Sequence, residues 1–330
     1  MDLSVVILSW NDRQFLEACL QSLRDARSAR TTEIIVVDNA STDGSPEMVA
    51  ALFPEVKIIR NAENLGFPKG NNIGVKASQG KYVYLLNSDI KIFPGCLDAL
   101  ADYLDQNPRA GMVGPRILNR DLTHQSSCRR FPTLWNNFCE VTGLAKVFAG
   151  SKRFSGEHMF YFKGDRLMEV DVLVGCFWTI RREAVNEFGL LDEGFFMFAE
   201  DVDWCKRFWE AGWRVVFCPA AQAIHYRGGS STKKDAVWLA LTQQRSILRY
   251  WKKHHGAAAN LGIRCLVCIY RSARWGAAWA GRLIRPAKRR DSQIRMQVAA
   301  ACLRDLFSCG SAAGGSALNQ GDVLNSTPPA

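Results

Sequence analysis

Apolar residues in the first half of the chain come in short unbroken runs rather than in alternation. Residues 4–9 read Ser-Val-Val-Ile-Leu-Ser, residues 33–38 read Glu-Ile-Ile-Val-Val-Asp, and residues 82–86 are apolar throughout. Runs of this kind predict strands buried on both faces. Residues 56–59 and 112–114 extend the series. Between them, residues 14–27 place Phe15, Cys19, Leu20 and Leu23 at helical spacing. Further helices are predicted over 45–53, near 71–77 and over 94–106. Strands separated by helices predict an α/β fold with a mostly parallel central sheet flanked by helices.

The alternation breaks between about residues 118 and 168. That mixed polar and aromatic stretch includes Arg129-Arg130-Phe131-Pro132 and reads as a long loop region, either a carrier of acceptor specificity or a surface excursion. Order returns at 170–174 and 176–180. Helices follow at 182–188 and 202–211, the second closed by Gly212, and then a short strand at 214–217.

Residues 240–255 predict a helix rich in Arg, Lys and aromatics. Over 261–285, Arg264, Arg271, Arg274, Arg282 and Arg285 fall within an arc of about 80° on a helical wheel. Leu261, Ile263, Leu266, Ile269, Tyr270, Trp279 and Ile284 occupy most of the rest. A basic stripe on an otherwise apolar helix suits the plane of an anionic bilayer; the alternative is a helix packed on the body with solvated arginines. The Gly-, Ser- and Pro-rich residues 310–330 are expected to be disordered.

Composition is that of a globular protein, 48% hydrophobic and 22% charged. The net charge of +10 is unevenly placed. Residues 1–229 hold 26 Lys and Arg against 28 Asp and Glu, whereas residues 230–330 hold 16 against 4. That asymmetry gives the tail an anionic partner, membrane or nucleic acid, and the amphipathic pattern selects the membrane. No nucleic acid is expected. The eleven cysteines are scattered, several inside apolar runs, which predicts core thiols in a reducing compartment. Cys265-x-x-Cys268 has no second pair at zinc spacing. Met1-Asp2 leads directly into a strand without a signal-peptide pattern, and no stretch of about 20 uncharged apolar residues exists. The expected location is cytoplasmic, peripheral on the inner face of the plasma membrane.

Polar clusters lie where predicted strands end: Ser9-Trp10-Asn11, Asp38-Asn39 and Asn87-Ser88-Asp89. In open α/β sheets ligands bind beyond the carboxyl ends of strands, so all three face one crevice. Asp38 either accepts from the imide N–H of a pyrimidine or caps the turn of Ser41-Thr42-Asp43-Gly44. The run from Asn64 through Gly66, Gly70 and Asn71 to Gly74 lets a backbone approach ribose or diphosphate beside a helix N-terminus. It is not a dinucleotide fingerprint, because the first strand ends without glycine. Asp89 follows a buried strand and suits Mg²⁺ or Mn²⁺ together with a diphosphate. Glu200-Asp201 either caps a helix or supplies a general base toward a sugar hydroxyl. His225, followed by Gly228-Gly229-Ser230, is a candidate second ligand of the cation.

Taken in order, Ser-Val-Val-Ile-Leu-Ser9-Trp10-Asn11, Val-Val-Asp38-Asn-Ala-Ser-Thr-Asp-Gly-Ser, Asn64-Leu-Gly66-Phe-x-x-Gly70-Asn71-Asn-x-Gly74, Leu-Leu-Asn87-Ser88-Asp89, Phe-Ala-Glu200-Asp201-Val-Asp and His225 resemble the family 2 inverting glycosyltransferases of GT-A fold. The resemblance covers roughly residues 3–255. Residues 244–254 further resemble its rhamnosyltransferase-type branch of cell-surface polysaccharide synthesis. It implies a GT-A domain over 1–255, followed by a basic amphipathic helical extension over 256–309. It also implies a nucleotide-diphospho-sugar donor such as dTDP-rhamnose, a glycan or lipid-linked acceptor, and a divalent cation. By that resemblance Asp38 reads the nucleobase, Asp89 and His225 hold the metal, and Asp201 is the base. One departure stands out: the family's Asp-x-Asp is here Asn87-Ser88-Asp89. That substitution leaves room for a non-catalytic scaffold that binds nucleotide sugar or glycan. A sugar-phosphate nucleotidyltransferase would need a Gly-rich basic loop after the first strand, and none is present.

Overall fold

Val5, Val6 and Ile7 are fully buried, so the first strand presents no solvent face and its sequence shows no alternation. The computed structural model describes residues 1–226, 235–284 and 289–308. Gly228-Gly229-Ser230, Arg285 and the tail from residue 309 lie outside the described residues. The first half runs β1 (Leu3–Ser9), α1 (Arg13–Asp25), β2 (Thr32–Asp38), α2 (Ser45–Leu52), β3 (Lys57–Arg60), α3 (Phe67–Ala77) and β4 (Tyr82–Asn87). Its four strands form a parallel wing in the order β3-β2-β1-β4. Leu16, Cys19, Leu20 and Leu23 give α1 its buried stripe.

The second half continues with β5 (Ile90–Ile92), α4 (Cys96–Gln106), β6 (Ala110–Leu118), β7 (Cys128–Arg129), α5 (Leu134–Thr142) and α6 (Leu144–Val147). Then follow β8 (Met168–Glu169), β9 (Val172–Leu173), β10 (Phe177–Arg181), α7 (Arg182–Phe188), α8 (Glu200–Glu210) and β11 (Arg214–His225). The full sheet reads β3-β2-β1-β4-β10-β6-β11-β5, with β8 beside β11 and β10 antiparallel to both neighbours. Two sequence readings change here. The region 118–168 is not simply a loop: Thr133 caps α5, its hydroxyl accepting from the Asn136 N–H at 3.0 Å. The last strand does not stop at Phe217. It runs to His225 across a register shift between Cys218 and Gln222, where Pro219 interrupts the apolar run and hides the continuation.

Three helices complete the described chain: α9 (Ala236–His254), α10 (Ala257–Ile284) and α11 (Arg289–Phe307). Phe195, Tyr250, Trp251 and Ile263 form a small buried cluster that seats α9 and α10 on the body. Asp203, fully buried, lies 3.0 Å from Arg207, 2.7 Å from Lys253 and 2.7 Å from His254, fastening α9 to α8. The arginine stripe of α10 divides: Arg274 and Arg282 are exposed, whereas Arg264 and Arg271 pack on neighbouring helices. Arg264 donates to the Leu306 carbonyl at 2.6 Å and Arg271 to Gln244 at 3.4 Å, so this part of the stripe faces α9 and α11. Outward lie Leu261, Ile269, Trp275, Trp279 and Leu283. A wheel gives angles between residues but not the side on which neighbours pack. Among the described residues no helix is long and apolar enough to cross a membrane.

Candidate active site

β1 pairs in register with both neighbours, Ser9 opposite Asp38 and Leu8 opposite Asn87, so the strand ends stand level. Beyond them opens a cavity of about 660 Å³. Its wall includes Ser9, Trp10, Asn64, Gly66, Asn87, Ser88, Asp89, Glu200, Asp201 and His225 from the sequence-predicted set. Asn11, Asp38, Gly70 and Asn71 are not part of that wall.

Asn11 has a left-handed φ of 54° and accepts from the Thr42 N–H at 2.7 Å, clasping the β1 end to the loop after β2. Asn71 donates to the Phe67 carbonyl at 2.9 Å within α3. A Cβ on Gly70 would meet Leu8 at 2.4 Å, so this glycine serves helix–sheet packing. Asp38 does cap its turn, Oδ2 accepting from the Ser41 N–H at 3.1 Å. Its Oδ1, like Ser9 Oγ, is buried without a hydrogen-bond partner among the described residues. Gly66 is required where it stands: at φ 81°, ψ 178° it occupies a region open to glycine, and a Cβ would lie 2.5 Å from the Phe196 carbonyl. That same carbonyl accepts from the Phe67 N–H at 2.8 Å and ties the loop before α8 to α3.

At the opposite end of the sheet edge, His225 Nε2 lies 3.2 Å from Asp89 Oδ1, both side chains largely buried. Gln125, a residue that sequence reading missed, holds the ring. Its Nε2 donates to the His225 carbonyl at 3.3 Å and its Oε1 lies 2.7 Å from His225 Nδ1. With Nδ1–H given to Gln125, Nε2 faces the carboxylate oxygen, either donating to it directly as an imidazolium or, as a neutral ring, sharing a cation with it. Two adjacent ligands of an octahedral ion with arms of about 2.1 Å lie about 3 Å apart, so the pair fits Mg²⁺ or Mn²⁺ completed by diphosphate oxygens and water. Among the described residues no group of three or more acidic, His or Cys side chains gathers as a metal cluster.

The acidic run divides its work. Phe198 and Ala199 both have left-handed φ, 71° and 61°, immediately before α8. Two consecutive non-glycine residues in that region store strain, held here because Ser246 of α9 donates to the Met197 carbonyl at 2.8 Å. The turn delivers Glu200 and Asp201 to the cavity. Burial raises the Asp201 carboxyl above the ordinary Asp range, opposed by the positive charge of Arg129. Glu200 is raised further, by burial and then by Asp201, and its Oε2 has no partner among the described residues. Asp203 belongs instead to the ion cluster that fastens α9.

The remaining wall comes from the excursion after β6 and from α9. Arg129, Pro132, Asn137, Glu140, Glu157 and His158 line it together with Ile247, Tyr250 and Trp251. Glu140 Oε1 accepts from the Glu157 N–H at 2.8 Å, lying over Gly156, whose φ of 65° and missing Cβ leave room for the carboxylate. Asn137 donates to Glu157 Oε1 at 2.8 Å. Burial and the neighbouring Glu140 push Glu157 up to about 8. Burial and Arg129 push His158 down to about 4.

The sequence model of glycosyl transferase family 2 matches residues 4–189. An N-acetylglucosaminyl-diphospho-decaprenol L-rhamnosyltransferase of Mycobacterium tuberculosis is 29% identical over 269 residues, covering 77% of this chain and 85% of that protein. The dTDP-rhamnosyl transferase RfbF of Shigella flexneri is 24% identical over 232 residues, 69% of this chain and 70% of its own. Among solved structures, the mannosyltransferase PcManGT of Pyrobaculum calidifontis, in complex with GDP-Man and Mn²⁺, superposes with a TM-score of 0.54 at 17% identity, covering 93% of this chain and 88% of that one.

Proposed function

Because the chain belongs to glycosyl transferase family 2 and is a glycosyltransferase of GT-A fold, we propose that it moves a sugar, with inversion, from a nucleotide-diphospho-sugar to a hydroxyl of a lipid-linked or cell-surface glycan acceptor. The rhamnosyltransferases among its relatives favour dTDP-rhamnose as the donor. One observation carries the reading: the Asp89–His225 pair and the Asp201 carboxylate share one cavity, at the ends of different elements.

The chain's own residues do the following. The unpaired Ser9 Oγ in the cavity wall offers an acceptor for donors of the nucleoside, and the unpaired Asp38 Oδ1 stands level with it at the strand ends, behind the wall. Asn39 donates to the Gly66 carbonyl at 3.2 Å and to Asn64 at 3.3 Å, keeping the glycine-rich turn against the sheet. Asp89 and His225 would hold a divalent cation. When bound, that ion supplies positive charge that stabilises the departing diphosphate. Asp201 accepts the proton of the attacking hydroxyl, general-base catalysis that contributes about 10²–10⁴-fold in rate, and its raised proton affinity makes it a stronger base than a solvated Asp. Asn87 at the place of a carboxylate leaves the charge of the metal pair to Asp89.

We also propose that the protein lies peripherally on the inner face of the plasma membrane through α10. The outward row Leu261, Ile269, Trp275, Trp279 and Leu283 supports this, as does the basic excess after residue 230. Trp135 and Phe138 of the adjoining α5 are also exposed, and Leu134 packs beneath Gly262 of α10. A lipid-linked acceptor confined to that surface would reach the cavity wall that α5 shares.

Transfer by the purified protein from a panel of nucleotide sugars to a prenyl-diphospho-N-acetylglucosamine acceptor tests the function. The expected result is metal-dependent turnover with dTDP-rhamnose and a loss of about 10² or more in kcat for Asp201→Asn, donor affinity being kept. No turnover with any donor would overturn the reading, and near-normal transfer by Asp201→Asn would move the base to Glu200.

A further inference from the structure

The cavity wall carries two hydrogen-bond donors that no described residue accepts. Tyr250 Oη and Trp251 Nε1 have no partner among the described residues, their side chains are 2% and 1% exposed, and both residues line the cavity. A buried unpaired donor costs about 1–3 kcal/mol, and an apolar Phe at either place would avoid that cost. The same cavity wall includes Glu157 and Glu140, fixed by Asn137 and by the Gly156 turn. The charges are contiguous with the base. Among charged neighbours Glu157 acts most strongly on Tyr250, and Arg129 acts on Glu140, Glu157, His158 and Asp201 alike.

This mixture selects a chemistry. The indole N–H can only donate, the phenol donates and accepts, and a protonated Glu157 does both. Free phosphate or diphosphate would meet the carboxylate of Glu140 at close quarters. A neutral pyranose, with hydroxyl and amide oxygens around its ring, meets each group with its complement. Resting on the glycosyltransferase reading above, we propose that Tyr250, Trp251 and Glu157 form the subsite for the acceptor's terminal sugar, holding one of its hydroxyls toward Asp201. The stretch after β6 and helix α9 thereby act as specificity-determining elements, whereas the sheet edge serves the donor.

The test uses the full-length protein and citronellyl-diphospho-N-acetylglucosamine as probe. Acceptor KM and donor KM are measured for wild type, Tyr250→Phe, Trp251→Phe and Glu157→Gln, and probe Kd by calorimetry on the same proteins. Tyr250→Phe removes only the unpaired hydroxyl, so its folding stability stays equal or rises, and a lost fold is not the explanation of a defect. The expected result is a rise of about 3- to 10-fold in acceptor KM and probe Kd with donor KM unmoved. Wild-type acceptor KM rises above about pH 8 as Glu157 loses its proton, and Glu157→Gln flattens that rise. Unchanged probe Kd and acceptor KM in Tyr250→Phe and Trp251→Phe would overturn the subsite. Absence of turnover in wild type would count against the transferase reading alone, since calorimetry still decides whether the sugar binds here.

Discussion

Replacing Gln125 by Leu keeps the volume of the side chain but removes both of its bonds to His225, the 2.7 Å contact at Nδ1 and the 3.3 Å bond to the carbonyl. The Nδ1–H bond contributes about 0.5–1.5 kcal/mol net. Freeing the ring to rotate adds roughly 0.5–1 kcal/mol of side-chain entropy to be lost again when the ion binds. The sum, about 1–2.5 kcal/mol, corresponds to a 5- to 70-fold rise in the metal concentration for half-maximal rate, in keeping with about 10–100-fold for lost outer-shell partners. Initial rates across chelator-buffered Mn²⁺ give the answer, because kcat at saturating metal should be nearly kept. Gln125→Glu should shift the curve the other way, since a carboxylate on Nδ1–H makes the ring a better ligand. If Gln125→Leu lowers the rate equally at every metal concentration, the imidazole is not a metal ligand and the argument from the Gln125–His225–Asp89 chain fails.

Gly66→Ala forces a side chain into a glycine-only backbone region and against the Phe196 carbonyl; a loss of at least about 2 kcal/mol in urea unfolding is expected. Asp203→Asn removes the charge that Arg207, Lys253 and His254 share and should cost about 3 kcal/mol, read as a lower urea midpoint, while probe binding at permissive temperature persists. The rate should fall with decreasing pH through a value above the ordinary Asp range, because Asp201 must be deprotonated to act and burial raises it; Asp201→Asn abolishes that limb of the pH–rate profile. Replacing Trp275 and Trp279 together by Ser should weaken co-sedimentation with anionic vesicles at least tenfold, from roughly 1–2 kcal/mol of apolar burial at each. Equal sedimentation of this variant and wild type would leave α10 as packing only.

The parallel wing was legible because its strands are buried on both faces, a condition that writes itself as Val-Val-Ile-Leu and Ile-Ile-Val-Val. Strand ends then give the cavity floor, and Ser9, Asn87 and Asp89 follow from position alone. Periodicity failed where tertiary context decides. Helix α5 is short and turns a partly exposed aromatic side outward, so it resembled a loop. Pro219 split β11 and left His225 outside any anticipated strand, although its motif still identified it. Gln125 has no local signature, since its role exists only through a residue one hundred positions later in the chain. Asp203 and Asp201 look alike in sequence; only the approach of Lys253 and His254 separates the anchor from the carboxyl left facing the cavity. Asn11, Gly70 and Asn71 sit within recognisable motifs, yet they hold the strand ends and α3 rather than line the cavity.

Helix α9 belongs to two structures at once. One side presents Tyr250 and Trp251 to the cavity, and the other ties Gln244 and Arg245 to α11 through the Cys302 carbonyl at 2.8 Å and Asp305 at 2.6 Å. Its 19 residues make a rod about 28 Å long. A tilt of only about 2° at one end therefore displaces the other by about 1 Å, the scale of misplacement that can change a catalytic rate by about 10²-fold. Load on the outer helices is delivered to the cavity through this lever, beside the contact of α10 with α5. A force on the bundle far from Asp201 thus reaches the wall proposed for the acceptor without any change in the parallel wing proposed for the donor.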